Sequence, residues 1–198
     1  MLIPKFTFAS AASVFFTGDT HFGHGSQAKR RGYDDLDEHD NLLIHNWNRE
    51  VPANGVVFHV GDFAWKTVPQ ERLEKIFRRL NGKKYLVLGN HDNKAVADLP
   101  WAGVDHRMIV QVGSGEDQHE FLLDHYGGRV WYNSHNGVRQ LYGHSHNELP
   151  STTAACDVGV DGWMLQPITI ADVLAVQREA KITMREVQDL VPGGPRNG

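Results

Sequence analysis

Several things that often settle a protein's class by composition alone are scarce here. There is one cysteine, Cys156, in 198 residues, which excludes an internal disulfide and fits a reducing, cytoplasmic compartment. No apolar run reaches the roughly 18 residues of a membrane span, so no membrane partner is expected. Positive charge is not in excess: 20 Lys and Arg stand against 24 Asp and Glu, a net −4. That balance argues against broad electrostatic attraction of nucleic acid. Low-complexity sequence is confined to the C-terminal end.

What is present is the makeup of an ordinary globular protein, 40% hydrophobic and 22% charged. The length suits one core, and we expect a single domain over residues 1–185 and a flexible tail over 186–198, which ends VPGGPRNG. The opening MLIPKFTFASAASVFF is not expected to be a signal peptide, because cleavage after Ala12 would amputate the strand that delivers Asp19.

Short β-rich apolar runs alternate with helical patterns, the mark of a layered α/β domain. Strands are expected at Ser13 to Thr17, Gly55 to Val60 and Lys84 to Leu88. Helices are expected at Leu36 to Glu50 and at Val68 to Leu80, the second with Pro69 in its first turn and Leu73, Ile76, Phe77 and Leu80 inward. All three strands run into a glycine and a polar residue: TGD, VGD and LGN. In an open parallel sheet, groups beyond the carboxyl ends of strands converge, which would gather Asp19, Asp62 and Asn90 at one edge, with Gly18, Gly61 and Gly89 turning the chain. The second half predicts strands at Val104 to Val112, His119 to Asp124, Arg139 to Tyr142 and Ala155 to Val160, in a more antiparallel arrangement, then a helix from Thr169 to Ala180.

Five polar clusters each follow an apolar run: Asp19-x-His21, Gly61-Asp62, Gly89-Asn90-His91-Asp92, Asp124-His125 and Gly143-His144-Ser145-His146. Carboxylate, imidazole and amide oxygen together suit Mn, Fe, Ni, Co or Zn better than Ca or Mg. In extended chain, D-x-H and H-x-H each turn two ligands to one side, and more than four ligands suggest two metal ions.

This ordered set closely resembles the calcineurin-like metallophosphoesterase family, above all its small single-domain bacterial and phage members with a D-T-H-F-G-H opening. The resemblance spans about residues 13 to 170. It implies a four-layer α/β/β/α sandwich and two divalent transition-metal ions as cofactors. Asp19, His21 and His146 would bind one ion, Asn90, His125 and His144 the other, and Asp62 would bridge them. It further implies attack by a metal-bridging hydroxide on a phosphoester, with His91 steadying the phosphate and protonating the leaving oxygen.

The departures narrow the substrate. The protein-phosphatase branch reads G-D-x-x-D-R-G where this chain has Gly61-Asp62-Phe63-Ala64-Trp65-Lys66, so its orienting acid and phosphate-gripping Arg are missing. Phe63 and Trp65 would make that wall apolar, leaving the grip to His24, Arg129 or Arg139. His24 is otherwise a ligand's support or a loop residue. Asp92 would orient neighbouring groups or cap the segment from 93 to 98, and Asp161 would reach a ligand by a hydrogen bond or serve a turn. His39, His45, His59, His106, His119 and His135 are assigned to surface or packing.

A cysteine phosphatase would need Arg six residues after Cys156, where Gly162 stands, and a phosphoaspartate enzyme would need D-x-D. The pairs His39-Asp40 and His91-Asp92 raise an all-helical HD hydrolase, which the KYLVL strand contradicts. A metal-binding scaffold of the same fold is the non-enzymatic alternative, and every ligand position is filled. The expected function is therefore hydrolysis of small phosphodiesters such as cyclic nucleotides. A nuclease or phosphomonoesterase is the runner-up, the nuclease needing a basic track such as Lys29-Arg30-Arg31 or Arg78-Arg79 with Lys83-Lys84. Oligomeric state is not legible.

Overall fold

In a computed structural model, which describes residues 2–183 and Glu186, the chain folds as two five-stranded sheets packed face to face and flanked by helices. The expected tail, apart from Glu186, lies outside the described residues.

The first sheet has β2 (Val14–Thr17), β3 (Val56–His59), β4 (Lys83–Val87) and β5 (Gly103–Asp105) side by side and parallel, with β10 (Ile168–Thr169) antiparallel on the β2 edge. The period of two along β2 divides its side chains. Val14 and Phe16 enter the core between the sheets, while Phe15 joins the core under the helices. Helices α2 (Leu36–Glu50) and α3 (Gln70–Arg79) cover that outer face with Leu43, Ile44, Trp47, Leu73, Ile76 and Phe77. Asp35 caps α2 by accepting from Asp37 N and Glu38 N, which fixes where the helix starts.

The second sheet runs β1 (Lys5–Phe8), β6 (Arg107–Val112), β7 (His119–Asp124), β8 (Arg139–Tyr142) and β9 (Ala155–Asp157). Its inner face brings Met108, Val110, Val112, Phe121, Leu123, Leu141 and Cys156 to the core between the sheets. Trp131 and Val138, from the segment after β7, pack on its outer face with Ile109, Leu122 and Tyr142. Helix α5 (Ile170–Glu179), capped by a reciprocal Thr169–Asp172 box, packs on β2, β9 and β10.

Three expectations need correction. The second half is not mainly antiparallel: in the second sheet only β6 and β7 pair that way, while β1–β6, β7–β8 and β8–β9 are parallel. The run from Val104 to Val112 is not one strand either. It breaks at His106, whose N–H is taken by its neighbour's side chain, Asp105 Oδ1, at 2.7 Å, and the chain there crosses from β5 in one sheet to β6 in the other. The strand expected to reach Val160 stops at Asp157, and Val160–Gly162 form a 3₁₀ turn. Strands β1 and β10, helix α1 (Gly25–Arg30) and the short α4 (Lys94–Ala97) were not foreseen. The opening segment is thus built into the fold, β1 pairing with β6. No helix among the described residues is long and apolar enough to cross a membrane.

Candidate metal centre

The polar clusters sit where the strands end. Asp19 and His21 follow β2, Asp62 follows β3, Asn90 and His91 follow β4, His125 follows β7, and His144 and His146 follow β8. Both sheets therefore aim their carboxyl edges at one spot, and parallel neighbours deliver their loops side by side. Asp19 N donates to Gly61 O at 2.9 Å and His21 N to Asp62 O at 3.0 Å, and Gly143 N donates to His125 O at 3.1 Å.

Two groups of donor atoms result. Asp19, His21 and His146 each offer one ligand atom, all within 4.8 Å of one another, and so do Asp62, His125 and His144. Asn90 Oδ1 lies 3.0 Å from His125 Nε2 and so stands beside the second group. Asp62 Oδ2 is 3.6 Å from His21 Nε2 and 3.5 Å from His125 Nε2, touching both groups at once. His91 donates its backbone N–H to Asp62 Oδ1 at 2.8 Å and holds its ring Nε2 4.0 Å from Asp62 Oδ2.

Ligands reach these positions by strained backbone, not by the extended chain that the D-x-H and H-x-H spacing predicts. Asp19, His21, Asp62, His144 and His146 all have positive φ, between 48° and 64°. Each such non-glycine residue costs about 1–3 kcal/mol and persists only where its surroundings fix it. Of the three glycines expected to turn the chain, only Gly61 needs its freedom, with φ of 102°. Gly89 is required for closeness, because a Cβ there would overlap Asp62 Oδ1 and Asp62 N.

The surroundings that fix the ligands are equally specific. His125 donates Nδ1–H to Val60 O at 2.8 Å, and His146 donates Nδ1–H to Asp161 Oδ2 at 2.7 Å. Each bond sets the tautomer that leaves Nε2 with a lone pair. Asp92 accepts from Asp62 N, Phe63 N and Gly89 N at 2.8–2.9 Å. It therefore orients the Asp62 loop, and Asn93 caps α4 instead. Asp157 accepts from Ser145 Oγ, Asn147 N and Gly159 N, bracing the His144–His146 turn.

Arg31 was not singled out from the basic run, yet its side chain is only 4% exposed. Its guanidinium forks onto Asp161 with two 2.8 Å bonds and also donates to Asp19 O and Thr20 O. His39 accepts from Arg31 and pairs with Asp40, which in turn holds Gly23 N and Arg72. The His39-Asp40 pair thus buttresses the site from α2. No local signal marks Arg31 off from Arg30, since its partner is 130 residues away. His59 is buried too: it accepts from Gly61 N and donates to Thr20 Oγ1, whose hydroxyl donates to Phe63 O.

Electrostatics and polar satisfaction agree on what the centre wants. Burial, with Asp157 and Asp62 nearby, raises the Asp19 carboxyl well above its usual range. Burial and then His146 and Arg31 push His21 down to about 2. Burial alone would raise Asp161, but the Arg31 fork and His146 outweigh it and hold that carboxyl well below normal. Asp19 Oδ1 and both ring nitrogens of His21 are buried without a hydrogen-bond partner among the described residues. Such orphaned donors and acceptors in a carboxylate–imidazole set are what a divalent cation satisfies, so the residues present fit metal.

The substrate-side candidates separate. His24 lies at the centre: its ring stacks on Trp65 at 3.9 Å and 8°, with His21 at 5.3 Å and His91 at 6.1 Å. Trp65 lies 5.1 Å from His91 and forms that wall. Phe63 does not, being fully buried in the core under the helices. Arg139 does not reach the site: it opens β8, three residues before the carboxyl end that delivers His144, and faces His119. Arg129 lies on the outer side of the second sheet, around a groove with Tyr142, Leu149 and Pro150.

Comparison with known proteins agrees with this geometry. The sequence model described as Metallophos, calcineurin-like phosphoesterase, matches residues 12–173. An uncharacterized protein of Methanocaldococcus jannaschii is 24% identical over 190 residues, covering 91% of this chain and 99% of that protein. The Gene 66 protein of Mycobacterium phage D29 is 28% identical over 181 residues, covering 77% and 89%. Among solved structures, a protein of unknown function from Aquifex aeolicus superposes with a TM-score of 0.61 at 17% identity, covering 81% of this chain and 96% of that one. That likeness is one of fold.

Proposed function

The chain belongs to the calcineurin-like phosphoesterase family, and from that premise we propose that it hydrolyses small phosphodiesters, cyclic nucleotides or nucleotide-like esters, using two divalent transition-metal ions. The coarser statement needs only the family and the donor groups: this is a metal-dependent phosphoesterase.

What supports a two-ion centre is Asp62, whose one carboxylate oxygen stands beside a histidine of each donor group. Asp19, His21 and His146 would hold one ion, Asn90, His125 and His144 the other, with Asp62 shared; manganese, iron, nickel, cobalt and zinc all suit the set. Bound ions supply Lewis-acid charge toward phosphate oxygens and lower the pKa of water.

The chain's own residues do the rest. Val60 O and Asp161 keep the Nε2 lone pairs of His125 and His146 aimed inward. His91, half-buried and anchored through its backbone to Asp62, holds a proton for the departing ester oxygen, general-acid help worth about 10²–10⁴-fold. Trp65 and His24 stack on one another and form the wall next to His91. A chain of this length without a long insertion offers little surface for a macromolecule, which favours a compact ester.

Nothing in the basic runs favours the nuclease reading. Arg31 is committed to Asp161, Arg30 pairs with Glu148 and Arg78 with Glu74. Lys83 and Lys84 open β4, at the end away from the metal centre.

The test is a panel of phosphomonoesters, cyclic nucleotides, dinucleotides and single-stranded nucleic acids, run with Mn²⁺, Ni²⁺ or Zn²⁺ after chelation. Selective diester turnover, lost in Asp62→Ala, is expected. Preference for monoesters overturns the diester assignment, and wild type and Asp62→Ala that are equally inert on the whole panel overturn catalysis.

A further inference from the structure

The break at His106 opens a cleft of about 360 Å³ between the two sheets, lined by Leu88, Asp105, His106, Arg107, Asp124 and Tyr126 among others. It lies at the same edge as the metal centre. Asp105 and Asp124 are the last residues of β5 and β7, and Leu88 follows β4. Each edge is closed there by its own pairing, Leu88 N donating to Asp105 O at 2.9 Å in the first sheet and Arg107 lying in register with Asp124 in the second, and His106 links the two. Tyr126 is the shared wall. Its hydroxyl is 3.5 Å from Asn90 Oδ1, its ring is 4.7 Å from that of His144 and 4.9 Å from that of His125, and it is 49% exposed.

Resting on the phosphodiesterase reading, we propose that this cleft is the subsite for the nucleobase of the substrate. Four properties point to a neutral heteroaromatic ring. The volume falls in the range of about 300–1,000 Å³ usual for ligand pockets. Leu88 and the Tyr126 ring give apolar walls against which a ring can lie. The charges do not leave a net positive field: Arg107 is spent on Asp124 at 2.5 Å, and Asp105 adds a further carboxylate. A second phosphate is therefore disfavoured, whereas a base, with donors and acceptors around a flat apolar body, is matched by the Asp105 carboxylate that accepts and by the exposed His106 that donates. Lastly, Tyr126 stands beside the donor residues and also lines the cleft, so a phosphoryl group at the one and a base in the other would be neighbours.

The test separates the cleft from the catalytic reading. Calorimetry on the full chain, with and without Mn²⁺, compares the 5′-monophosphates of the common ribonucleosides with ribose 5-phosphate, which keeps the phosphate and lacks the base. At least one nucleotide is expected to bind about tenfold tighter than ribose 5-phosphate. That advantage is expected to disappear in His106→Trp, which fills the cleft from an exposed position, and in Tyr126→Ala. Loss of the advantage in either variant supports the subsite. Equal binding of ribose 5-phosphate and every nucleotide, or an undiminished advantage in both variants, overturns it. Hydrolysis of bis(4-nitrophenyl) phosphate, measured in parallel, reports on the phosphodiesterase reading alone. If that ester is not turned over with any metal, the activity is rejected while the calorimetry still decides the cleft.

Discussion

The two halves of the metal centre are built differently. In the first group, Asp19 and His21 are fully buried, all three ligands have positive φ, and His146 is braced by the charged Arg31–Asp161 fork. In the second, His144 also has positive φ but is exposed, Asn90 is exposed, and the buried His125 has ordinary φ and leans on a neutral backbone carbonyl. Backbone strain and buried charge are tolerated only where neighbours over-determine the geometry. The first group is therefore the more enclosed and more heavily braced of the two, and the second the more open. The first is expected to keep its ion through chelation that strips the second.

The largest effect should come from removing what the halves share. Asp62→Ala is expected to lower kcat/KM on a diester by about 10³-fold or more, and to reduce bound metal at both groups in elemental analysis. Loss confined to one group would break the idea that Asp62 joins them. Next, Asp161→Asn weakens the support of His146 and loosens the Arg31 fork, both in the first group. Metal titration should show affinity of the first group falling about 10–100-fold with the second unchanged; equal weakening of both would mean that the halves are not independently supported. Asn90→Ala addresses the open half, and its effect is expected near the lower end, about tenfold, on the weaker-binding ion alone.

A last effect, on stability and not on metal or turnover, concerns the frame beneath both halves. Burial, and then His125, lowers the pKa of His59 from 6.5 to about 3, so the folded state keeps it neutral. A depressed folded pKa contributes stability that is complete above the unfolded pKa and drains away as pH falls from about 6.5 toward 3. Metal-free wild type is expected to lose about 2 kcal/mol at pH 5 relative to pH 7.5 from this group. Denaturant unfolding of His59→Asn at both pH values should show a correspondingly shallower dependence, and an identical slope would remove His59 from the account.

Legibility followed locality. The helix over Leu36–Glu50 and the strands His119–Asp124 and Arg139–Tyr142 fall where the pattern put them, because an apolar face of the right period needs only its own neighbours. The polar clusters that form the two donor groups were readable for a related reason: each begins within three residues of a strand end. Arg139 was misread as a substrate contact because its sequence neighbourhood cannot tell which end of β8 points at the site. His59 and the His39-Asp40 pair passed for packing because their partners, Thr20, Gly61 and Arg31, come from other elements. The break at His106 was missed because β-prone residues stand on both sides of it, Val104 in β5 and Met108 to Val112 in β6, and only their pairing with different sheets separates them.

The sequence by itself determined the layered α/β class, the order of the ligand-bearing strand ends and the donor chemistry, since periodicity and residue type act over a few positions. Only the tertiary structure decided that the ligands sit in left-handed backbone, that Arg31 and Asp161 brace one half of the centre, and that the sheets part at His106 to open a cleft beside Tyr126. Each of these depends on groups brought together across the chain, where strain, burial and charge are fixed by contact and not by neighbourhood in sequence.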